Sequence, residues 1–244
     1  MSDVGRVRAH NEDTFEIDAD HQVYIVADGM GGHRHGEVAS RVAVDAVKAW
    51  MRDRQPDDAP QDLPPHLACL KTAIESAQDA VQRAVEEDVS LVGMGTTVVA
   101  MIVSGASAGV AHVGDSRAYR YRDAKLERLT KDHTWVGEQV GAGLLSEAQA
   151  KVHPLRNVVT RALGGRGGVA VEVSETTVRA GDLYLLCSDG LTTMLADDDI
   201  ERRLRGAASI EEACRDLIAA SNSGGGLDNI TVLMIEIVDG SASR

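Results

Sequence analysis

The 244-residue chain sets 25 Lys and Arg against 38 Asp and Glu, a formal net charge of −13, and it holds only one Phe, two Trp and four Tyr. That sign of charge argues against a nucleic-acid binder or a reader of anionic membranes, both of which need a basic surplus against phosphate. The shortage of aromatics leaves Val, Ala, Leu and Ile to fill the core. With no apolar run near the roughly 18 residues of a membrane span and no charged-then-apolar leader at Met1-Ser2-Asp3-Val4-Gly5, the expectation is a soluble, cytoplasmic protein.

In chain order, the first β-branched run is 23–27. Residues 37–54 then set Val38, Val42, Val44, Val47 and Met51 on one helical face, and 66–88 do so with Leu67, Leu70, Ile74, Ala77, Val81 and Val85. Between these amphipathic helices lies an acidic connector with four of the five prolines, Pro56, Pro60, Pro64 and Pro65. Strands are expected at 96–103, 109–113 and 118–121. Gly137, Gly141, Gly143 and Pro154 break up 134–163, which reads as short helices in a mobile excursion. Strands at 169–176 and 183–188, helices at 196–204 and 210–221, and a strand at 230–238 complete the pattern. Runs of strands set apart from paired helices favour an α+β layered fold over alternating βαβ. Cys69, Cys187 and Cys214 are too scattered for a disulfide framework or a zinc site and read as buried thiols.

Chemistry is signalled by acids at the ends of apolar strands. Val23-Tyr24-Ile25-Val26-Ala27 runs into Asp28-Gly29, Leu183-Tyr184-Leu185-Leu186-Cys187-Ser188 into Asp189-Gly190, and Gly109-Val110-Ala111-His112-Val113-Gly114 into Asp115; Asp228 stands just before the last strand. A carboxylate on a buried strand is costly to keep charged without a cation beside it. Several at one sheet end repel one another, and a divalent cation is the simple answer. Oxygen ligands point to Mg²⁺ or Mn²⁺ over Zn²⁺. Asp-Gly is a common turn dipeptide, so the weight lies in the repetition. Near the amino end, Arg8-Ala9-His10-Asn11-Glu12-Asp13 suits waters and a phosphate, or equally a solvated charged turn.

Together these residues resemble the bacterial branch of the metal-dependent Ser/Thr protein phosphatases, type 2C. The matching stretches are Ser2-Asp3-Val4-Gly5-Arg6-Val7-Arg8 with Asn11-Glu12-Asp13, Val26-Ala27-Asp28-Gly29-Met30-Gly31-Gly32-His33 with Gly36-Glu37, and Gly93-Met94-Gly95-Thr96-Thr97. They continue with Val113-Gly114-Asp115-Ser116-Arg117-Ala118-Tyr119, Leu129-Thr130-Lys131-Asp132-His133, Ser188-Asp189-Gly190-Leu191 and Asp228-Asn229-Ile230-Thr231, spanning residues 2–231 in the family's order. The resemblance implies a four-layer αββα sandwich, two stacked antiparallel sheets flanked by helix pairs, forming one catalytic domain over 1–244 with a flap at about 134–163.

It also implies hydrolysis of phosphoserine and phosphothreonine in proteins by a bridging water activated by two tightly bound Mn²⁺ or Mg²⁺, with a third, weaker metal. Carried over by position, Asp28 bridges both metals, the Gly29 carbonyl binds one, and Asp189 and Asp228 complete the other. Asp115 with Asp189 recruits the third, Glu12 and Asp13 hold waters, and Arg8 clamps the substrate phosphate. The implied partners are phosphorylated proteins, above all a bacterial Ser/Thr kinase and its substrates, and the chain is expected to be a monomer.

Met30 stands where eukaryotic relatives place a proton-donating histidine. Methionine cannot donate, so a metal-bound water near Asp115 is expected to protonate the leaving group, with His33 the weaker candidate. Rival readings are a non-catalytic phosphoprotein-binding regulator of the same fold and a nucleotide-binding turn at Gly29-x-Gly31-Gly32, which lacks any G-x-x-x-x-G-K-[ST]. A zinc pair at His33 and His35 is a minor alternative. His112 is expected to be packed, His133 to make local hydrogen bonds, and Arg156 and Arg161 either to meet acidic substrates or to be solvated.

Overall fold

Alternation of apolar side chains between two faces organises the strands into stacked sheets. In the computed structural model, which describes residues 1–31, 35–53 and 63–238, β1 (Ser2–Asp3), β2 (Asp13–Asp18) and β3 (Val23–Met30) precede the helices α1 (His35–Asp53) and α2 (Pro65–Glu87). Then come β4 (Gly95–Thr96), β5 (Val98–Ser104), β6 (Ser107–Val113), β7 (Arg117–Arg122), β8 (Lys125–Arg128), α3 (Trp135–Gly141) and α4 (Glu147–Lys151). Last are β9 (Glu172–Thr177), β10 (Leu183–Cys187), α5 (Asp189–Thr192), α6 (Asp197–Gly206), α7 (Ile210–Ser223) and β11 (Ile230–Glu236). One sheet runs β1-β11-β10-β7-β8 and the other β2-β3-β5-β6-β9, with β4 also on β3. All these pairings are antiparallel.

Three apolar clusters fill the spaces between four layers. Ile25 and Ala27 of β3 meet Val47 of α1 and Leu70, Ile74 and Val81 of α2. Val26, on the opposite face, joins Val99, Met101 and Val110 against Tyr184, Leu186 and Leu233 of the second sheet. The outer face of that sheet, with Tyr119, Leu185, Cys187 and Val232, takes α5, α6 and α7 through Leu191, Ile200, Leu204 and Leu217. This is the αββα sandwich that the sequence resemblance implies. Burying one such leucine contributes about 2 kcal/mol.

Pro64 caps α2 and Pro65 opens its first turn, the position where a missing N–H costs least. The buried stripe of α1 is Gly36, Ala39, Ser40, Ala43, Val44, Val47 and Met51, so Val38 and Val42 flank the core they were expected to fill. The reason is close approach: a Cβ on Gly29 would lie 2.1 Å from Gly36 O, and only small residues fit along that contact. Beta-branched periodicity also passes over β1, β2 and β8, which are short or polar. The strand expected from residue 169 begins at Glu172; Val169 and Val171 precede it and, like Val173 within it, pack on the α1–α2 core. The 134–163 excursion holds α3 and α4, the second opened by a Ser146–Gln149 capping box. All three cysteines are free and buried. Pro56 and Pro60 lie outside the described residues.

Candidate metal centre

The acids converge because their strands end at the same edge of the sandwich. Asp13 opens β2 directly opposite Asp28 near the end of β3, which sets two carboxylates side by side. In the second sheet, Ser188 N donates to Thr231 O (3.2 Å), so the turn that carries Asp189 lies against the start of β11, just past Asp228. A Cβ on Gly190 would sit 2.0 Å from Asn229 O. Asp189, carried by one sheet, lies close enough to Asp28 of the other to hydrogen-bond with it once either carboxyl carries a proton. Asp115, 8% exposed, follows Gly114, whose φ of +106° would be strained for any L side chain.

Burial is the first cause that raises Asp13, Asp28, Asp115 and Asp189, and the neighbouring acids add to it. Asp28 is held well above the usual range, with Asp13, Asp189, Asp115 and Asp228 all contributing. Asp13 is pushed up to about 7 by burial, against the opposing hydroxyls of Thr231 and Ser188. Asp115 rises to about 8 by burial with Asp189 adding, and Asp189 to about 6 by burial with Asp228 adding. Glu12 is raised by burial, opposed by Arg8. Carboxyls that gather in spite of such repulsion fit a cation, and their all-oxygen donor set fits Mg²⁺ or Mn²⁺. Ser188 Oγ donates to Asp13 Oδ2 (2.7 Å), while the buried Asp13 Oδ1 has no hydrogen-bond partner among the described residues.

The amino-terminal arm closes one side of the cluster. Arg8 NH2 donates to Asp228 Oδ2 at 2.6 Å, with 51% of the Arg8 side chain exposed. Gly5, at φ +82°, lets the arm pass where a Cβ would lie 2.2 Å from Asp228 O. Asn229, 4% exposed, accepts from Glu12 N (2.8 Å) and donates to Val4 O and His10 O (2.9 Å each). The Gly29 N–H donates to Glu12 O (3.2 Å), and the Glu12 carboxylate lies against Gly36 in the first turn of α1, where the helix N-terminus favours an anion.

Arg8, Glu12, Asp13, Asp28, Gly29, Asp115, Asp189 and Asp228 therefore meet at one end of the sandwich. The supporting roles of Asn229 and Ser188 were not read from the sequence; both lay inside matched stretches, but nothing marked them as hydrogen-bond hubs. His33 and Gly32 fall outside the described residues. His112 is buried in β6 and stacks on His133, and His133 Nδ1 accepts from Gly114 N (3.1 Å). With Glu172 these histidines bring possible ligand atoms within 4.8 Å of one another. Their rings stack at 4.6 Å with planes 14° apart, and the group is already hydrogen-bonded: His112 Nε2 pairs with Lys131 O (2.8 Å) and His133 Nε2 with Glu172 Oε2 (3.2 Å).

A family model described as protein phosphatase 2C matches residues 6–222. The chain is 39% identical over 239 residues to a serine/threonine phosphatase stp of Listeria welshimeri, covering 96% of this chain and 93% of that one. It is 40% identical over 238 residues to the serine/threonine protein phosphatase PstP of Mycobacterium tuberculosis, covering 98% of this chain and 44% of that longer protein. The crystal structure of the M. tuberculosis phosphatase PstP/Ppp matches with a TM-score of 0.88 at 38% identity, over 98% of this chain and 97% of that one. The PstP catalytic domain in complex with two manganese ions matches with a TM-score of 0.85 at 38% identity, over 98% and 96% of the two chains.

Proposed function

The chain belongs to the protein phosphatase 2C family, and from that premise we propose how its residues share the work of a metal-dependent hydrolase of phosphoserine and phosphothreonine in proteins. The observation that carries the reading is the Asp28–Asp189 contact between the two sheets inside a ring of further acids. Such a site exchanges protons for divalent cations.

In this proposal Asp28, the Gly29 carbonyl, Asp189 and Asp228 hold two Mn²⁺ or Mg²⁺ ions, and Asp115 with Asp189 takes a third. When bound, these ions supply an activated bridging water for in-line attack at phosphorus and neutralise the phosphoryl oxygens. Glu12 and Asp13 hold waters; with Oδ2 occupied by Ser188, Asp13 Oδ1 is the atom free to accept from one. Arg8 clamps the substrate phosphate, its exposed guanidinium turning from Asp228 to an anion with planar, paired donors. Asp115 orients the water that protonates the leaving alkoxide, because Met30 has no proton to give.

Residues 1–244 are read as one catalytic domain with the 134–163 excursion as its flap. Its substrates are phosphorylated proteins. A bacterial Ser/Thr kinase as the opposing enzyme, a monomeric state and a cytoplasmic location, where ATP-dependent kinases act, complete the proposal. No helix among the described residues is long and apolar enough to cross a membrane. A non-catalytic phosphoprotein binder is not favoured, since a decayed site should have lost some of these acids. The test is hydrolysis of a phosphothreonine peptide with added Mn²⁺, expected to stop with chelator and to fail in Asp28→Asn and Asp189→Asn. Turnover that persists in chelator would sink the reading.

A further inference from the structure

The 134–163 excursion leaves and rejoins the sandwich beside the acidic cluster, and its two roots are held differently. At the leading root, His133 N donates to Gly114 O (3.0 Å) and Thr160 N donates to His133 O (2.8 Å). At the trailing root, Leu163 exchanges two backbone hydrogen bonds with Thr96 (2.8 and 3.1 Å), and the Thr96 hydroxyl donates to Asp28 O (2.9 Å).

One side chain of α2 fastens this trailing root from outside. Gln78, 3% exposed, accepts from Gly164 N through Oε1 (2.8 Å) and donates from Nε2 to Gly165 O (2.7 Å) and Gly167 O (3.0 Å). Gln82, one helical turn on, donates to the same two carbonyls (2.5 and 3.0 Å). The loop takes this shape through glycines: Gly164 has φ +99° and Gly167 φ +91°, and a Cβ on Gly164 would lie 2.6 Å from Met94 O. A buried amide on an apolar helix face is costly unless its groups are bonded, and these bonds go to the loop.

We propose that Gln78 is a positioning residue for the excursion: by clamping its trailing root to α2 it sets where the 134–162 segment stands beside the cleft, and thereby the affinity for a protein substrate. The inference rests on the phosphatase reading above. The reaction at phosphorus, carried by groups on the far side of the Thr96–Leu163 bonds, is left intact. A small substrate that makes no contact with the excursion does not sense the clamp.

The test compares Gln78→Leu and the milder Gln82→Ala with the parent protein on a phosphothreonine peptide and on p-nitrophenyl phosphate, both with Mn²⁺. Gln78→Leu should raise the peptide KM about tenfold, the equivalent of one net hydrogen bond. Peptide kcat, both constants for p-nitrophenyl phosphate, and Mn²⁺ affinity should stay within about twofold. Amide exchange at 163–168 should quicken. Gln82→Ala should move the same quantities the same way by less, and it carries the test should Gln78→Leu fail to fold. An unchanged peptide KM alongside faster exchange, or equal losses on both substrates, would overturn the proposal. Absence of turnover by the parent protein is a separate failure, of the phosphatase reading; the Kd of the phosphopeptide then replaces KM and tests the clamp in the same way.

Discussion

Asn229→Ala removes a side chain that fastens the amino-terminal arm to the start of β11 at three points, Val4 O, His10 O and Glu12 N. Each hydrogen bond is worth about 0.5–1.5 kcal/mol net, and a buried N–H left without a partner costs about 1–3 kcal/mol. The Glu12 bond is buried, whereas the two carbonyls are reachable by water once the amide is gone. The sum is a loss of about 3–4 kcal/mol, or about 10 °C in Tm for a chain of this size. Thermal unfolding by circular dichroism, with saturating Mn²⁺ and again with chelator, reads this directly. Glu12 hangs on the same amide, so kcat on a phosphothreonine peptide should also fall at a temperature well below the new Tm. A shift under about 2 °C with unchanged kcat would refute the idea that this amide holds the arm in place.

Metal-free protein should lose stability as pH rises. Asp189, Asp13 and Asp115 sit at about 6, 7 and 8 when buried without a cation. The folded chain then holds protons that the unfolded chain releases above about pH 4, and the stability this gives is lost as pH rises through the folded values. Melting in chelator should be higher at about pH 5 than at pH 8, with Mn²⁺ restoring most at the higher pH; a stripped protein more stable at pH 8 contradicts this. Gly190→Ala should destabilise the fold and weaken Mn²⁺ binding, since its Cβ would lie 2.0 Å from the Asn229 carbonyl oxygen, a backbone atom that cannot swing aside. Gly141→Ala, with nothing within 4 Å, is the control and should melt within a few degrees of the parent, as Gly-to-Ala changes at open helical sites do. If the two variants melt alike, the close approach is not as described.

Much of the site was legible because a charge at the end of an apolar strand is chemically conspicuous. Asp28, Asp115, Asp189 and Asp228 each follow or precede such a run, and the structure gathers all four. The helix edges were legible through Pro65 and through 3.6-residue spacing, which places the bounds of α2 within a residue of those expected. Where small residues do the packing, as along α1, hydropathy pointed to Val38 and Val42 while Ala39, Ser40 and Ala43 made the contact. The strand β2 escaped notice because Asp-Thr-Phe-Glu-Ile-Asp is an edge strand whose side chains are partly wet. The work of Asn229 and Ser188 was invisible for another reason. It consists of hydrogen bonds to Glu12 and Asp13 across 217 and 175 residues of chain, and no local pattern encodes a partner so far away. The pairing of Arg8 with Asp228 across 220 residues belongs to the same class.

The claim that these acids form a divalent-metal centre is tested most directly by calorimetric titration of Mn²⁺ into chelator-stripped protein at about pH 6.5, in two buffers of different ionisation enthalpy. Asp13 and Asp115, raised by burial to about 7 and about 8, carry protons at that pH and must release them to bind a cation. At least two equivalents of Mn²⁺ should bind, with an enthalpy that differs between the buffers because protons leave, and both effects should be lost in Asp28→Asn. No binding, or an enthalpy that is the same in both buffers, would contradict the claim.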